Sequence, residues 1–141
     1  MSDNDFISQL EACTLPEDQF HHIDHLRAAW LYLTRFPATE AIARFSQALR
    51  AYAASLGKAE RYHETITWAY LVLLNERIRR SEPIGTWEQF AAAHPDLFDW
   101  KNSILLKYYR PETLHSELAR QVFLMPDRFC AFLSDRPPLG S

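Results

Sequence analysis

Apolar residues recur at intervals of three and four along most of this chain, and that spacing places them on one face of an α-helix. The clearest stripe lies in residues 60–79 and predicts a long central helix. Its apolar positions are Ile66, Tyr70, Leu73 and Leu74, and the same face carries His63 and Thr67. The chain has three glycines and no Asn-Gly or Asp-Gly pair that could turn a hairpin. The pattern therefore predicts helices rather than strands.

The same spacing, together with residues that start and stop helices, predicts the other elements. The predicted helices cover residues 3–12, 19–35, a third segment that Thr39 caps and that ends near 55, 60–79, a short segment that starts at Thr86 and ends before His94, 96–109 and 111–123. We therefore predict an all-α fold, a single-domain helical bundle of four long helices plus short accessory helices, over residues 1–135. Residues 136–141 are rich in proline and glycine and are expected to form a flexible C-terminal tail.

Three local signals mark the ends of these helices. Gly57 can adopt the left-handed conformation that stops the third helix. Thr86, with Gln89 three residues later, predicts a capping box at the start of the short helix. Pro111 is suited to the first position of the last helix, where its missing N–H is not needed.

Length and composition narrow the class of protein. A chain of 141 residues with 48% hydrophobic content can bury one ordinary core. Because 15 basic and 18 acidic residues alternate along it, for a net charge of −3, we expect no nucleic-acid partner. No apolar run reaches the roughly 20 residues of a membrane span, and the acidic start does not resemble a secretory signal. We expect a cytoplasmic protein with no membrane partner, in which Cys13 and Cys130 are small buried hydrophobic residues.

Histidines mark the first candidate site. His21, His22 and His25 lie within one turn of a predicted helix, and His63 lies beside Glu64 on another. Imidazole binds transition metals and also exchanges protons near neutral pH. Two imidazoles on one helix and a third on a facing helix predict a metal site formed by His22, His25 and His63. Because nitrogen donors outnumber carboxylates, the expected divalent ion is zinc, iron, nickel or copper rather than magnesium.

The same residues also suggest proton chemistry. His63 and Glu64 are the predicted catalytic residues, with Glu64 as a base or as the group that orients the imidazole. Tyr108 is a third candidate, because a phenol beside the histidines could donate a proton to substrate. The alternative is structural: an inward-facing histidine must find a hydrogen-bond partner, which can be backbone or tyrosine.

A second polar cluster lies near the end of the chain. Ser116 and Arg120 are one helical turn apart, so a hydroxyl and a guanidinium would present a joint donor surface suited to a carboxylate or phosphate. These two residues are the predicted substrate-binding pair. The alternative is an ion pair from Arg120 to Glu117 or Asp127.

Three polar strings in this chain resemble those of a family of small bacterial all-helical proteins to which no activity has been assigned. The strings are His22-Ile23-Asp24-His25-Leu26 with Ala29-Trp30, Tyr62-His63-Glu64-Thr65-Ile66-Thr67, and Tyr108-Tyr109-Arg110-Pro111-Glu112-Thr113-Leu114 with Ser116, Ala119-Arg120 and Pro126-Asp127. The resemblance covers most of the chain. It implies that these strings belong to one shared site, in which His25, His63, Ser116 and Arg120 are the expected functional residues.

Two hypotheses follow from the sequence. In the first, the chain is a histidine-centred small-molecule enzyme or metal-binding protein, and Arg120 contacts an anionic ligand. In the second, the histidines are structural, and the chain is a non-catalytic helical adaptor or a homodimerisation module that uses an exposed aromatic surface. Whether His25 and His63 line one cavity is the observation that bears most directly on the first hypothesis.

Overall fold

The computed structural model describes residues 1–128, and within them every regular element is a helix. The seven α-helices are α1 (Asp3–Glu11), α2 (His22–Arg35), α3 (Ala38–Ser55), α4 (Glu64–Arg80), α5 (Trp87–Ala93), α6 (Pro111–Leu114) and α7 (Glu117–Gln121). Short 3₁₀ turns lie at Glu17–Gln19, Ala59–Arg61, Pro95–Phe98 and Ile104–Lys107. The prediction of an all-α fold is confirmed for this part of the chain.

Three long helices form the frame of the molecule. α2, α3 and α4 have 14, 18 and 17 residues, and each packs against the other two. The start of α2, the end of α3 and the start of α4 meet at one end of this frame, where their side chains line a common cavity. α1 packs on α3. The site is therefore built where three helix ends converge.

One cluster of buried apolar side chains connects these elements. Leu10 of α1, Leu33 of α2 and Leu71 of α4 are completely buried. Leu97 and Leu114, from the C-terminal half, join the same cluster. Full burial of a leucine side chain stabilises a fold by roughly 1.5–3 kcal/mol, so this cluster supplies the main support for the cavity walls.

The predicted fourth long helix is not formed. Residues 96–109 were predicted to be helical, but they contain only short 3₁₀ turns, and the predicted helix 111–123 is divided into α6 and α7. The division lies at Ser116, whose hydroxyl donates to the Thr113 carbonyl at 2.7 Å and accepts from the Ala119 N–H at 3.1 Å. A serine that bonds to nearby backbone in this way competes with the helical ladder. The frame therefore has three long helices rather than four.

Two helices also begin later than predicted. α2 begins at His22 instead of residue 19, and α4 begins at Glu64 instead of residue 60. His63 has an extended backbone, with φ −129° and ψ 108°, and is the N-cap of α4. The prediction that His63 lies on the helical stripe was wrong, because an N-cap side chain turns back towards the first N–H groups of its helix.

The local end signals hold better. Gly57 has φ +70°, the left-handed conformation predicted after α3. Thr86 and Gln89 form the predicted capping box at the start of α5, and Pro111 occupies the start of α6. These features depend on neighbouring residues only, which is why the sequence alone identifies them.

Some predictions concern residues that lie after residue 128. Cys130 and the tail 136–141 lie outside the described residues, whereas Cys13 is half-buried and packs on the core. Within residues 1–128, no helix is both long enough and apolar enough to cross a membrane.

Candidate functional site

A cavity of about 450 Å³ lies where the ends of α2, α3 and α4 meet. Aromatic and aliphatic side chains make up most of its wall. Its lining includes Phe20, His21, His22, His25, Leu26, Ala29, Phe45, Leu49, Tyr52, Ala53, Leu56, Tyr62, His63, Ile66, Thr67, Tyr70, Leu71 and Trp100. The structure therefore brings His22, His25 and His63 to a single cavity.

His25 is the imidazole that is left open to this cavity. Its ring stacks on Phe20, with ring centroids 4.0 Å apart and planes inclined by 21°. Burial, with smaller contributions from the neighbouring His22 and His21, lowers the pKa of His25 to about 4. His25 is therefore neutral at pH 7. Among residues 1–128 its ring has no hydrogen-bond partner, so one nitrogen can donate to a bound molecule and the other can accept.

His22 is held in one orientation. Its Nε2 lies 2.9 Å from the Leu97 carbonyl oxygen, which can only accept, so Nε2 carries the proton and donates. Trp100 lies beside the ring at a centroid distance of 4.8 Å, and Tyr70 lies edge-on at 5.3 Å. Burial lowers the pKa of His22, although the bond to Leu97 acts in the opposite direction. His22 therefore forms a neutral part of the cavity wall.

His63 has no ring nitrogen left for a ligand. Its Nδ1 accepts from the Ile66 N–H at 3.0 Å, which caps α4. Its Nε2 donates to the Leu114 carbonyl at 2.8 Å and so ties α4 to α6. Burial lowers the pKa of His63, which favours the neutral ring that this pair of bonds requires. In this arrangement His63 stabilises the structure and is not free to bind metal or to take up a proton.

The three histidines do not form a metal centre. Across residues 1–128, no group of three or more histidine, cysteine, aspartate or glutamate side chains is placed to hold a metal ion. The reason is visible in the donors: His63 uses both nitrogens, and His22 uses one of its two on Leu97. The three predicted ligands therefore line one cavity but are not arranged so that all three can bind the same ion.

Glu64 holds Tyr62, which lines the cavity. Its carboxylate accepts from the Tyr62 hydroxyl at 2.6 Å and from the Arg50 guanidinium at 2.5 Å. The Arg50 guanidinium also lies over the Tyr62 ring, 4.8 Å from its centroid. This triad joins α3 to the start of α4 and keeps Tyr62 in place.

The C-terminal polar residues lie away from the cavity. Arg120 donates to the Glu117 carboxylate and, at 3.0 Å, to the Glu60 carbonyl. Ser116 caps α7. Neither residue lines the cavity, and Tyr108 does not line it either. The structure therefore leaves Ser116, Arg120 and Tyr108 outside the cavity wall, although the Arg120 charge is near enough to His63 to help lower the pKa of that imidazole. The ion pair with Glu117 is the alternative considered for Arg120.

The sequence patterns missed the charged residues at the cavity mouth. Glu17, Lys58 and Arg61 all line the cavity from exposed positions. They lie in two 3₁₀ turns and a loop, where charged residues are expected on any surface. No signal in the sequence distinguishes them from other surface charges, because their proximity depends on how the two loops pack.

Comparisons of the chain with protein families, with curated proteins and with solved structures found no match.

Proposed function

We propose that this chain binds a small, largely apolar molecule in the cavity between α2, α3 and α4. The observation that carries the proposal is the neutral His25 imidazole, which is stacked on Phe20 and faces the cavity without a partner among residues 1–128. His25 is half-buried, and its ring opens onto a largely apolar cavity, so a ligand that forms a hydrogen bond to the imidazole there would gain affinity from that bond.

The size and lining of the cavity support the same conclusion. Ligand pockets in proteins usually have roughly 300–1,000 Å³ and combine a mostly apolar wall with a few polar groups. This cavity, of about 450 Å³, has that composition. A molecule with one or two aromatic rings could pack against Phe20, Tyr52 and Tyr70.

Within this proposal His25 orients the ligand. A neutral imidazole donates from one nitrogen and accepts at the other, so it suits a hydroxyl, a phenol or an amide on the buried end of the ligand. Trp100 is 55% exposed although it lines the cavity, so it forms part of the roof through which a ligand could enter.

A blocked cavity provides the first test. Ala53 lines the cavity from α3, whereas the next residue, Ala54, is exposed to solvent. Ala53→Phe is expected to weaken binding of 2-naphthol by about tenfold or more, because the new ring occupies the ligand space. Ala54→Phe is the matched control and should bind as the wild type does. Fluorescence titration of 2-naphthol measures both.

A second variant tests the polar end. His25→Phe keeps an aromatic ring against Phe20 but removes the hydrogen bond, so affinity for 2-naphthol should fall by about fivefold. Affinity for 2-methylnaphthalene, which cannot form that bond, should not fall. The proposal is overturned if the wild type shows no saturable binding of either molecule, or if Ala53→Phe and Ala54→Phe bind equally well.

A chemical step, a bound metal ion and a homodimer stay predictions from the sequence. His63 and Glu64 are held by structural contacts, so any chemistry in this cavity would fall to the other imidazoles of its wall, which include His25.

A further inference from the structure

An ion-pair cluster stands at the mouth of the cavity. The Glu17 carboxylate accepts a hydrogen bond from Lys58 Nζ, and its Oε1 lies 3.5 Å from Arg61 Nη1. Glu17 belongs to the 3₁₀ turn that precedes α2, whereas Lys58 and Arg61 come from the connection between α3 and α4. The hydrogen bond from Lys58 lowers the pKa of the Glu17 carboxyl, so the group is ionised at neutral pH.

The cluster has one more positive charge than negative. Glu17, Lys58 and Arg61 are the charged side chains that line the cavity within the described part of the chain, leaving the histidines aside. Two other carboxylates near this end are engaged, since Asp24 accepts from the His21 N–H at 2.9 Å and Glu64 is held by Arg50 and Tyr62, whereas Asp18 and Glu60 are exposed and do not line the cavity. A second anion at the mouth would therefore find cationic charge that Glu17 alone does not neutralise.

The existing ion pairs are easily exchanged. The side chains of Glu17, Lys58 and Arg61 are 49%, 31% and 67% exposed. Pairs between such exposed groups are weak, because water and salt screen them and because ordering long side chains is unfavourable. If a ligand carboxylate took the place of the Glu17 carboxylate beside Lys58 and Arg61, the free energy of these ion pairs would therefore change little.

We propose that the ligand of this cavity is an apolar molecule that carries a carboxylate, and that this carboxylate displaces Glu17 from Lys58 and Arg61. The inference rests on the function proposed above and specifies its ligand class. The apolar body of the ligand fills the aromatic cavity, and the exposed mouth holds the charge in water-accessible surroundings, where an anion is not penalised by burial. Glu17 occupies the carboxylate position in the absence of ligand.

A matched pair of ligands tests the charge. 2-Naphthoate and 2-naphthamide have nearly the same shape, and only the first is anionic. At low ionic strength and pH 7.5, isothermal titration should show that the wild type prefers the naphthoate. Lys58→Met combined with Arg61→Met should weaken the naphthoate by about fivefold and leave the naphthamide unchanged.

Two further proteins complete the experiment. Glu17→Gln removes the competing carboxylate and should strengthen binding of the naphthoate but not of the naphthamide. Lys107→Met combined with Arg80→Met is the control, because it removes two exposed cations that do not line the cavity. This control should keep the preference of the wild type.

The outcomes separate the two proposals. If the naphthamide binds and Ala53→Phe abolishes that binding, but the naphthoate has no advantage, only the carboxylate inference is overturned. If neither molecule binds the wild type in a saturable way, the proposed function is overturned as well. An equal loss of naphthoate affinity in the Lys107/Arg80 control would also overturn the carboxylate inference, because net charge alone would explain the preference.

Discussion

Two polar regions of this molecule look alike in the sequence and differ in the structure. Residues 110–127 form the first region, and many of its polar side chains are paired with one another or with its backbone: Asp127 accepts from the Arg110 N–H at 2.8 Å and from the Thr113 hydroxyl at 2.5 Å. The cavity is the second region, and its central group, His25, has no partner among residues 1–128.

The difference shows what a polar string can and cannot indicate. A side chain whose donors and acceptors are all used inside the protein stabilises the fold, whereas one that is left open can bind something else. His63 lines the cavity, yet it belongs with the first kind because both of its nitrogens are occupied. Four substitutions test this distinction, and their expected effects decrease from Thr65 to Arg120.

Thr65 should show the largest effect, as a fully paired and fully buried group. Its hydroxyl donates to the Val122 carbonyl at 2.8 Å and accepts from the Leu124 N–H at 3.1 Å, which ties α4 to the C-terminal region. Thr65→Val leaves both backbone groups without that partner and should reduce the free energy of unfolding by roughly 3 kcal/mol. Urea unfolding measures the change.

Thr65→Ser is the matched control, because it keeps the hydroxyl and should lose only about 1 kcal/mol for the missing methyl group. Equal destabilisation by valine and serine would show that the hydrogen bonds of the hydroxyl contribute little. It would contradict the view that fully paired polar groups stabilise this fold.

His25 should give a pH-dependent effect. Its pKa is about 4 in the folded chain, below the value of about 6.5 for an unperturbed histidine. Between these values the unfolded chain binds the proton and the folded chain does not, so stability falls as the pH falls through this window. Urea unfolding at pH 7.5 and pH 5 should show that the wild type loses ~2 kcal/mol more than His25→Gln does.

The comparison with the variant isolates His25 from the carboxylates and from His22 and His63, which titrate in both proteins. An identical loss of stability in wild type and His25→Gln would mean that His25 is not held in a desolvated position.

His63 should behave as a structural residue. His63→Ala removes the cap of α4 and the bond to the Leu114 carbonyl, which should destabilise the chain by roughly 1.5 kcal/mol. Asparagine is a good N-cap residue, so His63→Asn should recover about half of that loss. Thermal unfolding of the two variants, together with titration of 2-naphthol, measures the effect. A large loss of 2-naphthol affinity in a well-folded His63→Asn would show instead that this imidazole contacts the ligand.

Arg120 should have the smallest effect. Its guanidinium is paired with Glu117 on the surface, so Arg120→Met should lower Tm by less than about 2 °C. Affinity for 2-naphthoate should not change, whereas Lys58→Met should reduce it. Loss of naphthoate binding in Arg120→Met would instead support the contact between Arg120 and an anionic ligand that the sequence predicted.

Local sequence signals predicted much of the fold. Residue spacing identified the three long helices, Gly57 marked the end of α3, and Thr86 with Gln89 marked the start of α5. The C-terminal half was predicted less well, because Ser103 and Ser116 bond to nearby backbone N–H groups and interrupt the expected helices. Whether a serine does this depends on the tertiary contacts around it, which periodicity does not report.

The candidate site was predicted only in part. His22 and His25 were recognised because imidazoles within one helical turn can bind a common ion or exchange protons near neutral pH. The different hydrogen bonding of His22, His25 and His63 could not be read from the sequence, because the Leu97 and Leu114 carbonyls are 75 and 51 residues away from the rings they bind.

The sequence by itself determined where the three long helices lie and that His22 and His25 stand within one turn of α2, since both follow from residue type and from spacing of three and four. Only the tertiary structure decided which imidazole is open. It brought Lys58 and Arg61 to the same mouth as Glu17, and within residues 1–128 it supplied distant carbonyl groups to His22 and His63 but none to His25. Those pairings depend on how separate parts of the chain pack against one another, and no local pattern encodes them.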